Sequence, residues 1–92
     1  MFDFNISDEL KIILKKLSKK DKKKTEIIKK KIKNIVKSDF QTINRYKNLR
    51  YDLKNYKRVH IDKSFVLIFR VDLKDNFILF VDFDHHDKIY KK

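Results

Sequence analysis

Apolar and polar residues recur with a clear period in both halves of the chain. The N-terminal FDFNI alternates apolar and polar residues, which predicts a short strand. Two apolar stripes with a spacing of three to four residues follow, and they predict one helix over about 8–20 and a second over about 22–38. Ser7 can cap the first helix, and Asp21 lies at the break between the two. These helices form a hairpin whose apolar stripes need a flat surface to cover them.

The second half of the chain supplies that surface. YKRVHI (56–61) alternates, so that Lys57 shares one side with Val59 and Ile61, while Arg58 and His60 share the other. The segments 64–71 and 77–83 are short, apolar and rich in β-formers, with a turn at 72–76. We therefore predict one α+β domain over residues 1–92. It consists of an N-terminal strand, a helical hairpin and antiparallel strands that form one sheet.

Composition removes several classes of site. The chain has 92 residues and contains no Cys, Gly or Pro, so disulfides, thiolate nucleophiles, cysteine zinc sites and glycine-rich phosphate loops are excluded. Asn and Asp have to make the turns that need left-handed backbone geometry. No apolar run approaches the ~20 residues of a membrane span, and the N-terminus lacks the pattern of a signal peptide. We expect a cytoplasmic protein.

The net charge of +12 is concentrated in the first half of the chain. Residues 1–48 contain fifteen Lys and Arg against six Asp and Glu, whereas the remainder contains ten against seven. A field of this sign favours a polyanionic partner, although a solvated lysine face is the alternative. A membrane role is not favoured, because the apolar stripe of the second helix is needed for the core.

The C-terminal VDFDHHDKIY contains the most distinctive chemistry. In an extended chain Asp84 and His86 lie on one face and His85 on the other, and no further His or Cys cluster completes a metal site. Each histidine can be structural, or it can transfer protons near neutral pH. RNA carries its own nucleophile, the ribose 2′-hydroxyl. A protein that uses it needs only a base, an acid and cations, with no metal and no cofactor.

These features together resemble the RelE/ParE superfamily of toxin–antitoxin toxins, in particular its archaeal RelE-like branch and the YoeB and HigB groups. The resemblance covers nearly the whole chain and rests on the helical hairpin and on LRYDLKNYKRVHI, FVLIFRV and FVDFDHHDKIY. Matching positions are Leu49, Leu53, Tyr56 and Arg58 in the first segment and His85, His86 and Tyr90 in the last. His60 stands at a position that is often Arg or Lys, and Asn55 stands where Gly is common.

The resemblance implies an mRNA endonuclease that acts in the ribosomal A site by 2′-hydroxyl attack. It implies that His85 or His86 is base or acid, that His60 positions or protonates, that Arg58 stabilises the phosphate and that Tyr90 stacks on a base or orients the hydroxyl. Further contacts to the RNA are expected from Arg50, Lys54, Lys57, Lys63, Arg70 and Lys88. A RelB-like antitoxin with an acidic segment is the expected protein partner.

One position departs from the family pattern. The central apolar strand usually carries an Arg near Val66 or Leu67, and here both residues are apolar. Arg58 or Arg70 would have to make that phosphate contact. The alternatives are an inhibitor of the ParE kind, which acts on DNA gyrase without cleavage, and an inactive nucleic-acid-binding homologue.

Overall fold

The computed structural model describes residues 1–50 and 53–90 and has the predicted α+β class. In chain order the elements are β1 (Asp3–Ile6), α1 (Asp8–Lys20), α2 (Lys22–Val36), α3 (Phe40–Arg45), β2 (Asn48–Arg50), β3 (Leu53–Ile61), β4 (Phe65–Asp72), β5 (Phe77–His85) and α4 (His86–Tyr90). The helical hairpin and the three long strands lie where the apolar periodicity predicts them. The short elements α3, β2 and α4 are additional.

The strands form one sheet in the order β1-β5-β4-β3-β2. The sequential strands β3, β4 and β5 are antiparallel neighbours, as predicted, and β1 adds to β5 in parallel. Because the chain has no glycine, non-glycine residues adopt positive φ at the two hairpin turns: 56° at Asp62 and 54° at Asn76. Asp and Asn tolerate this region better than other residues with a Cβ.

Side chains cap the N-termini of the first three helices. Ser7 Oγ accepts a hydrogen bond from the backbone N–H of Leu10 at 3.1 Å. The Asp21 carboxylate accepts from Lys24 N–H at 3.0 Å, and it thereby separates α1 from α2. Asp39 begins α3 in the same way, and the hydrogen bonds from Thr42 hold the pKa of its carboxyl below the usual value. These caps satisfy N–H groups that have no partner within the helix.

The main core lies between the helical hairpin and one face of the sheet. It contains Leu10 of α1, Ile28 and Ile35 of α2, and Phe69 and Phe80 of the sheet, all with no measurable exposure. The other face of the sheet, here called the second face, carries a smaller cluster of Val66, Ile68 and Ile89. Since Ile89 belongs to α4, its burial holds the C-terminal helix against the second face. No helix in the described part of the chain is both long and apolar enough to span a membrane.

Candidate functional site

The second face of the sheet gathers part of the predicted site. Residues paired across neighbouring strands form rows that run across the sheet. One row contains Arg58, Ile68 and Asp82, and another contains His60, Val66 and Asp84. Val66 and Ile68 belong to the cluster on the second face, so the polar members of both rows share that face. Arg58 and His60 are two residues apart on β3, which separates their Cα atoms by roughly 7 Å.

His86 lies over His60 at the edge of the second face. The two imidazole rings are stacked, with centroids 5.8 Å apart and planes inclined by 24°. The backbone N–H of His86 donates to the carbonyl of Ser64 at 2.7 Å, which fixes the point where α4 leaves β5. His60 is exposed and the side chain of His86 is 46% exposed, so both rings can be reached from solvent. Two accessible imidazoles in contact are suited to paired proton transfer.

His85 lies on the opposite face of the sheet, toward the helical hairpin. It pairs with Phe65, and the two rings meet edge to face at 5.5 Å. Phe65 also stacks on Phe83 at 5.3 Å, and Lys24 Nζ lies 4.0 Å from its centroid. The three histidines predicted as one site are therefore divided, because His85 pairs with Phe65 on the core side while His60 aligns with Val66 and Asp84 on the second face. His86 stacks on His60, Arg58 lies on the same face of β3, and His85 lies apart from them.

Asp87, which lies outside the predicted set of site residues, connects the two C-terminal histidines. Its carboxylate oxygens lie 3.6 Å from His86 Nδ1 and 3.8 Å from His85 Nδ1. Its backbone N–H donates to His85 Nδ1 at 3.2 Å. His85 thus supports the first turn of α4, and through it the position of His86. The DHHD pattern contained this signal, but Asp87 was not among the residues predicted for the site.

The predicted phosphate-binding residues are widely spread. Arg58 is partly buried, and its Nε donates to the carbonyl of Asn48 at 3.3 Å. Arg70 is exposed on the second face beside Tyr56, one row further from the histidines than Arg58. Lys63 and Lys88 are exposed near the histidine end of the sheet. The side chains of Arg50, Lys54 and Tyr90 lie outside the described part of the structure.

Lys57 is a correction to the predicted set. Its side chain points to the core face and is only 8% exposed. Nζ donates to the carbonyl of Tyr46 at 3.1 Å and to Asn48 Oδ1 at 3.2 Å, and burial lowers the pKa of this ammonium group. Lys57 therefore joins β3 to the segment between α3 and β2, and its burial argues against a contact with nucleic acid.

The second face also carries acidic residues beside the predicted Arg and His side chains. Asp82 and Asp84 are directed to the same side as Arg58 and His60, each separated from its row partner by one apolar residue of β4. Val66 and Ile68 are buried beneath α4, so the middle of this face is apolar. Within residues 1–50 and 53–90, no group of three or more His, Cys, Asp or Glu side chains is placed to hold a metal ion. The lysines of α1 and α2 lie on the opposite side of the sheet.

Comparison with solved structures establishes the class of fold. The chain is similar to YafQ from E. coli strain BL21(DE3), with a TM-score of 0.70 at 17% identity, and the match covers 98% of this chain and 99% of YafQ. A histidine-to-glutamine variant of E. coli YafQ matches with a TM-score of 0.69 over the same shares. The protein thus has the fold of YafQ, a small helical hairpin packed on a mostly antiparallel sheet.

Comparison with curated sequences establishes the family. A protein of Methanocaldococcus jannaschii named "Putative toxin RelE4" is 54% identical over 92 residues, which are 100% of this chain and 94% of that relative. An uncharacterized protein of Methanosarcina mazei is 44% identical over 90 residues, or 98% of this chain and 100% of the relative. No family model matches the chain. This chain belongs to the RelE family of toxins from toxin–antitoxin systems. Membership in that family implies an antitoxin as partner.

Proposed function

We propose that this toxin is an endoribonuclease that cleaves messenger RNA on the ribosome through attack of the ribose 2′-hydroxyl, without a metal ion or cofactor. The observation that supports the proposal is the stacked, accessible pair of His60 and His86, with ring centroids 5.8 Å apart. Imidazole is the side chain whose charge ordinarily changes between pH 5 and 8, so such a pair can supply one base and one acid at neutral pH.

In the proposed reaction, one imidazole of the pair accepts the proton of the 2′-hydroxyl while the 2′-oxygen bonds to the adjacent phosphorus. The other imidazole donates a proton to the 5′-oxygen as the P–O5′ bond breaks. The products are a 2′,3′-cyclic phosphate and a 5′-hydroxyl. Arg58 lies on the same face, and its guanidinium can stabilise the charge that grows on the phosphoryl oxygens. In this scheme His85 supports the start of α4 through Asp87 and does not contact the RNA.

The partners follow from charge and from the site of action. Messenger RNA and the ribosome are polyanions, which suits the net charge of +12. A RelB-like antitoxin with an acidic segment would bind rapidly and lose affinity as salt rises. A toxin that acts on translating ribosomes works in the cytoplasm.

One observation favours a second candidate, a non-catalytic inhibitor of the ParE kind or an inactive nucleic-acid-binding homologue. Val66, one of the two positions where the family usually carries an arginine, is apolar and packs with Ile68 in the middle of the second face, and Asp82 and Asp84 reduce the positive charge there. Such a protein would bind its target without proton transfer, and its histidines would be structural.

Expression in growing cells separates the candidates. Wild type is compared with His60→Ala/His86→Ala and with His85→Ala, which removes the neighbouring imidazole on the other face and can affect cleavage only through the position of α4. Growth arrest and the 5′ ends of messages are recorded together. We expect codon-phased cuts with wild type and His85→Ala and their disappearance in the double variant. Growth arrest with intact messages and impaired DNA replication would instead support the inhibitor.

A further inference from the structure

The lysine-rich side of α2 is connected to the histidine end of the sheet by three adjoining surface depressions. The first lies along α2 and is lined by Lys23, Ile27, Lys29, Lys30 and Lys33, together with Glu26. The second shares Lys23 and Ile27 with the first and is completed by Asp21, Lys24 and Asp62. The third shares Lys24 and Asp62 with the second and extends to Lys63, Ser64 and Phe65. Because each depression shares lining residues with the next, they form one continuous groove, here called the lysine track.

The lysine track carries an excess of positive charge. Six ammonium groups line it, against the carboxylates of Asp21, Glu26 and Asp62. Asp21 lies 4.0 Å from Lys24 Nζ and Glu26 lies 3.9 Å from Lys29 Nζ, and even with these pairs the ammonium groups outnumber the carboxylates by three. Lys23, Lys30 and Lys33 share one side of α2, and the stretch from the first to the last spans about 15 Å of helix, at 1.5 Å per residue. A row of cations of that length matches a phosphodiester chain better than it matches a single anion.

The track ends next to the proposed catalytic pair. Its last lining residues, Ser64 and Phe65, hold both C-terminal histidines: Ser64 accepts the backbone hydrogen bond of His86, and the Phe65 ring contacts His85. Lys24 is held at this end by the Phe65 ring and by Asp21, and its side chain is only 20% exposed, so its ammonium is pre-positioned. A strand that leaves the His60/His86 pair can therefore pass around the β3–β4 turn onto the helical side of the molecule.

We propose that the lysine track binds the flank of the single-stranded RNA whose scissile phosphate lies at His60 and His86. The inference rests on the proposed function and specifies how the substrate is held, namely through its backbone and not through its bases. Charge complementarity and continuity with the catalytic pair carry the assignment. The competing occupant of the lysine track is an acidic protein segment, and the binding test below distinguishes it from RNA.

The test measures binding of 2′-O-methyl RNA, which has no free 2′-hydroxyl and cannot be cleaved by the proposed route. A trinucleotide reaches the catalytic pair alone, whereas a decanucleotide also reaches the track. The track variant is Lys23→Gln/Lys30→Gln/Lys63→Gln, which neutralises at least one lysine lining each of the three depressions. The control is Lys11→Gln/Lys15→Gln/Lys16→Gln on α1, with the same change in net charge at exposed residues that line none of these three depressions.

Wild type and the α1 control should bind the longer RNA more tightly than the shorter one, and the track variant should lose that gain. Each phosphate contact to a single strand contributes about 0.7 to the slope of log affinity against log salt, so three lost contacts lower the slope by about 2. Between 50 and 200 mM salt, wild type should then lose about 20-fold more affinity than the track variant. Thermal unfolding of all proteins checks that the exposed substitutions leave the fold intact.

Three outcomes would overturn the proposal. The first is an equal loss in the α1 control, which would make the effect one of net charge. The second is a length gain that survives in the track variant. The third is a track variant that loses binding of polyglutamate while its RNA binding is unchanged, which would assign the track to an acidic protein. His60→Ala/His86→Ala should keep the length gain, so failure of the nuclease proposal and failure of this one give different results.

Discussion

Replacement of Lys57 by methionine tests whether this lysine is a structural residue or a phosphate contact. Methionine keeps the length and volume of the buried stem but removes the ammonium group. The change leaves the Tyr46 carbonyl and Asn48 Oδ1 without their donor. Tyr46 is partly buried, whereas Asn48 is exposed and can bond to water instead.

The expected loss is about 1–2 kcal/mol of unfolding free energy at pH 7. One orphaned, partly buried carbonyl costs about 1–3 kcal/mol, and relief from burying a charge offsets part of that cost. For 92 residues, the entropy of unfolding is about 0.19 kcal/mol per kelvin, so the midpoint of thermal unfolding should fall by about 5–10 °C. Affinity for RNA, measured well below that midpoint, should stay unchanged.

The pH dependence gives an independent check on Lys57. Burial lowers the pKa of Lys57 from 10.5 in the folded protein, so the unfolded chain binds the proton more tightly. Wild-type stability should therefore gain from this group as the pH rises from the folded pKa to 10.5, and the deficit of Lys57→Met should widen over that window.

The assay is thermal and urea unfolding followed by circular dichroism, at pH 7 and at several values up to 10.5. Lys74→Met in the exposed β4–β5 turn removes the same charge and serves as the control. A Lys57→Met variant as stable as that control would contradict a structural role for the ammonium group. A folded variant that loses RNA affinity would return Lys57 to the phosphate-binding set.

Three further changes test the fold around the site. Burial raises the pKa of the Tyr46 hydroxyl above 10.0 in the folded protein. The protein should therefore lose unfolding free energy as the pH rises from 10.0 through the pKa of the folded state. Tyr46→Phe should remove that loss, which is measured by comparing unfolding at pH 8 and pH 11. Ile89→Ala should lower the unfolding free energy by about 2–3 kcal/mol, because it removes the α4 member of the cluster on the second face, and it should weaken RNA cleavage as α4 loosens. Ile12→Ala on the exposed side of α1 should change neither the unfolding free energy nor cleavage. Asp62→Gly should raise the unfolding free energy by up to about 1 kcal/mol in urea titrations, because glycine has no Cβ and adopts positive φ without a steric cost. Asn76→Gly should gain less, because the hydrogen bond from Asn76 Nδ2 to the Met1 carbonyl is lost. Equal gains at the two turns would show that the Asn76 bond contributes nothing.

The long elements could be predicted from the sequence because each repeats its apolar period several times. Both helices of the hairpin and the three long strands were located to within a few residues by this signal. The short elements α3 and α4 each bury one apolar residue among those described, Ile43 and Ile89 respectively, and a single apolar position has no period. Residues 48–50 are too few to alternate visibly, so β2 was also missed.

The candidate site was predicted in its residue types but not in its division between faces. The alternation of β3 already placed Lys57 with Val59 and Ile61 on the core side, and that observation argued against a phosphate contact. The alternation also separated His85 from His86. The stacking of His86 on His60 could not be predicted from a pattern within one strand. It depends on the register of β3, β4 and β5 and on the burial of Ile89, which together return α4 across the second face.

The most direct test is a cleavage assay in which purified toxin acts on messenger RNA bound to ribosomes. The chemical structure of the two product ends is then determined. Wild type should leave a 2′,3′-cyclic phosphate and a 5′-hydroxyl, and a single 2′-deoxy substitution at the scissile nucleotide should stop the reaction. Loss of either His60 or His86 should lower the rate by about 10²–10⁴-fold, while His85→Ala should stay within about tenfold of wild type. Cleavage that persists at the 2′-deoxy position, or that is indifferent to His60 and His86, would contradict the account.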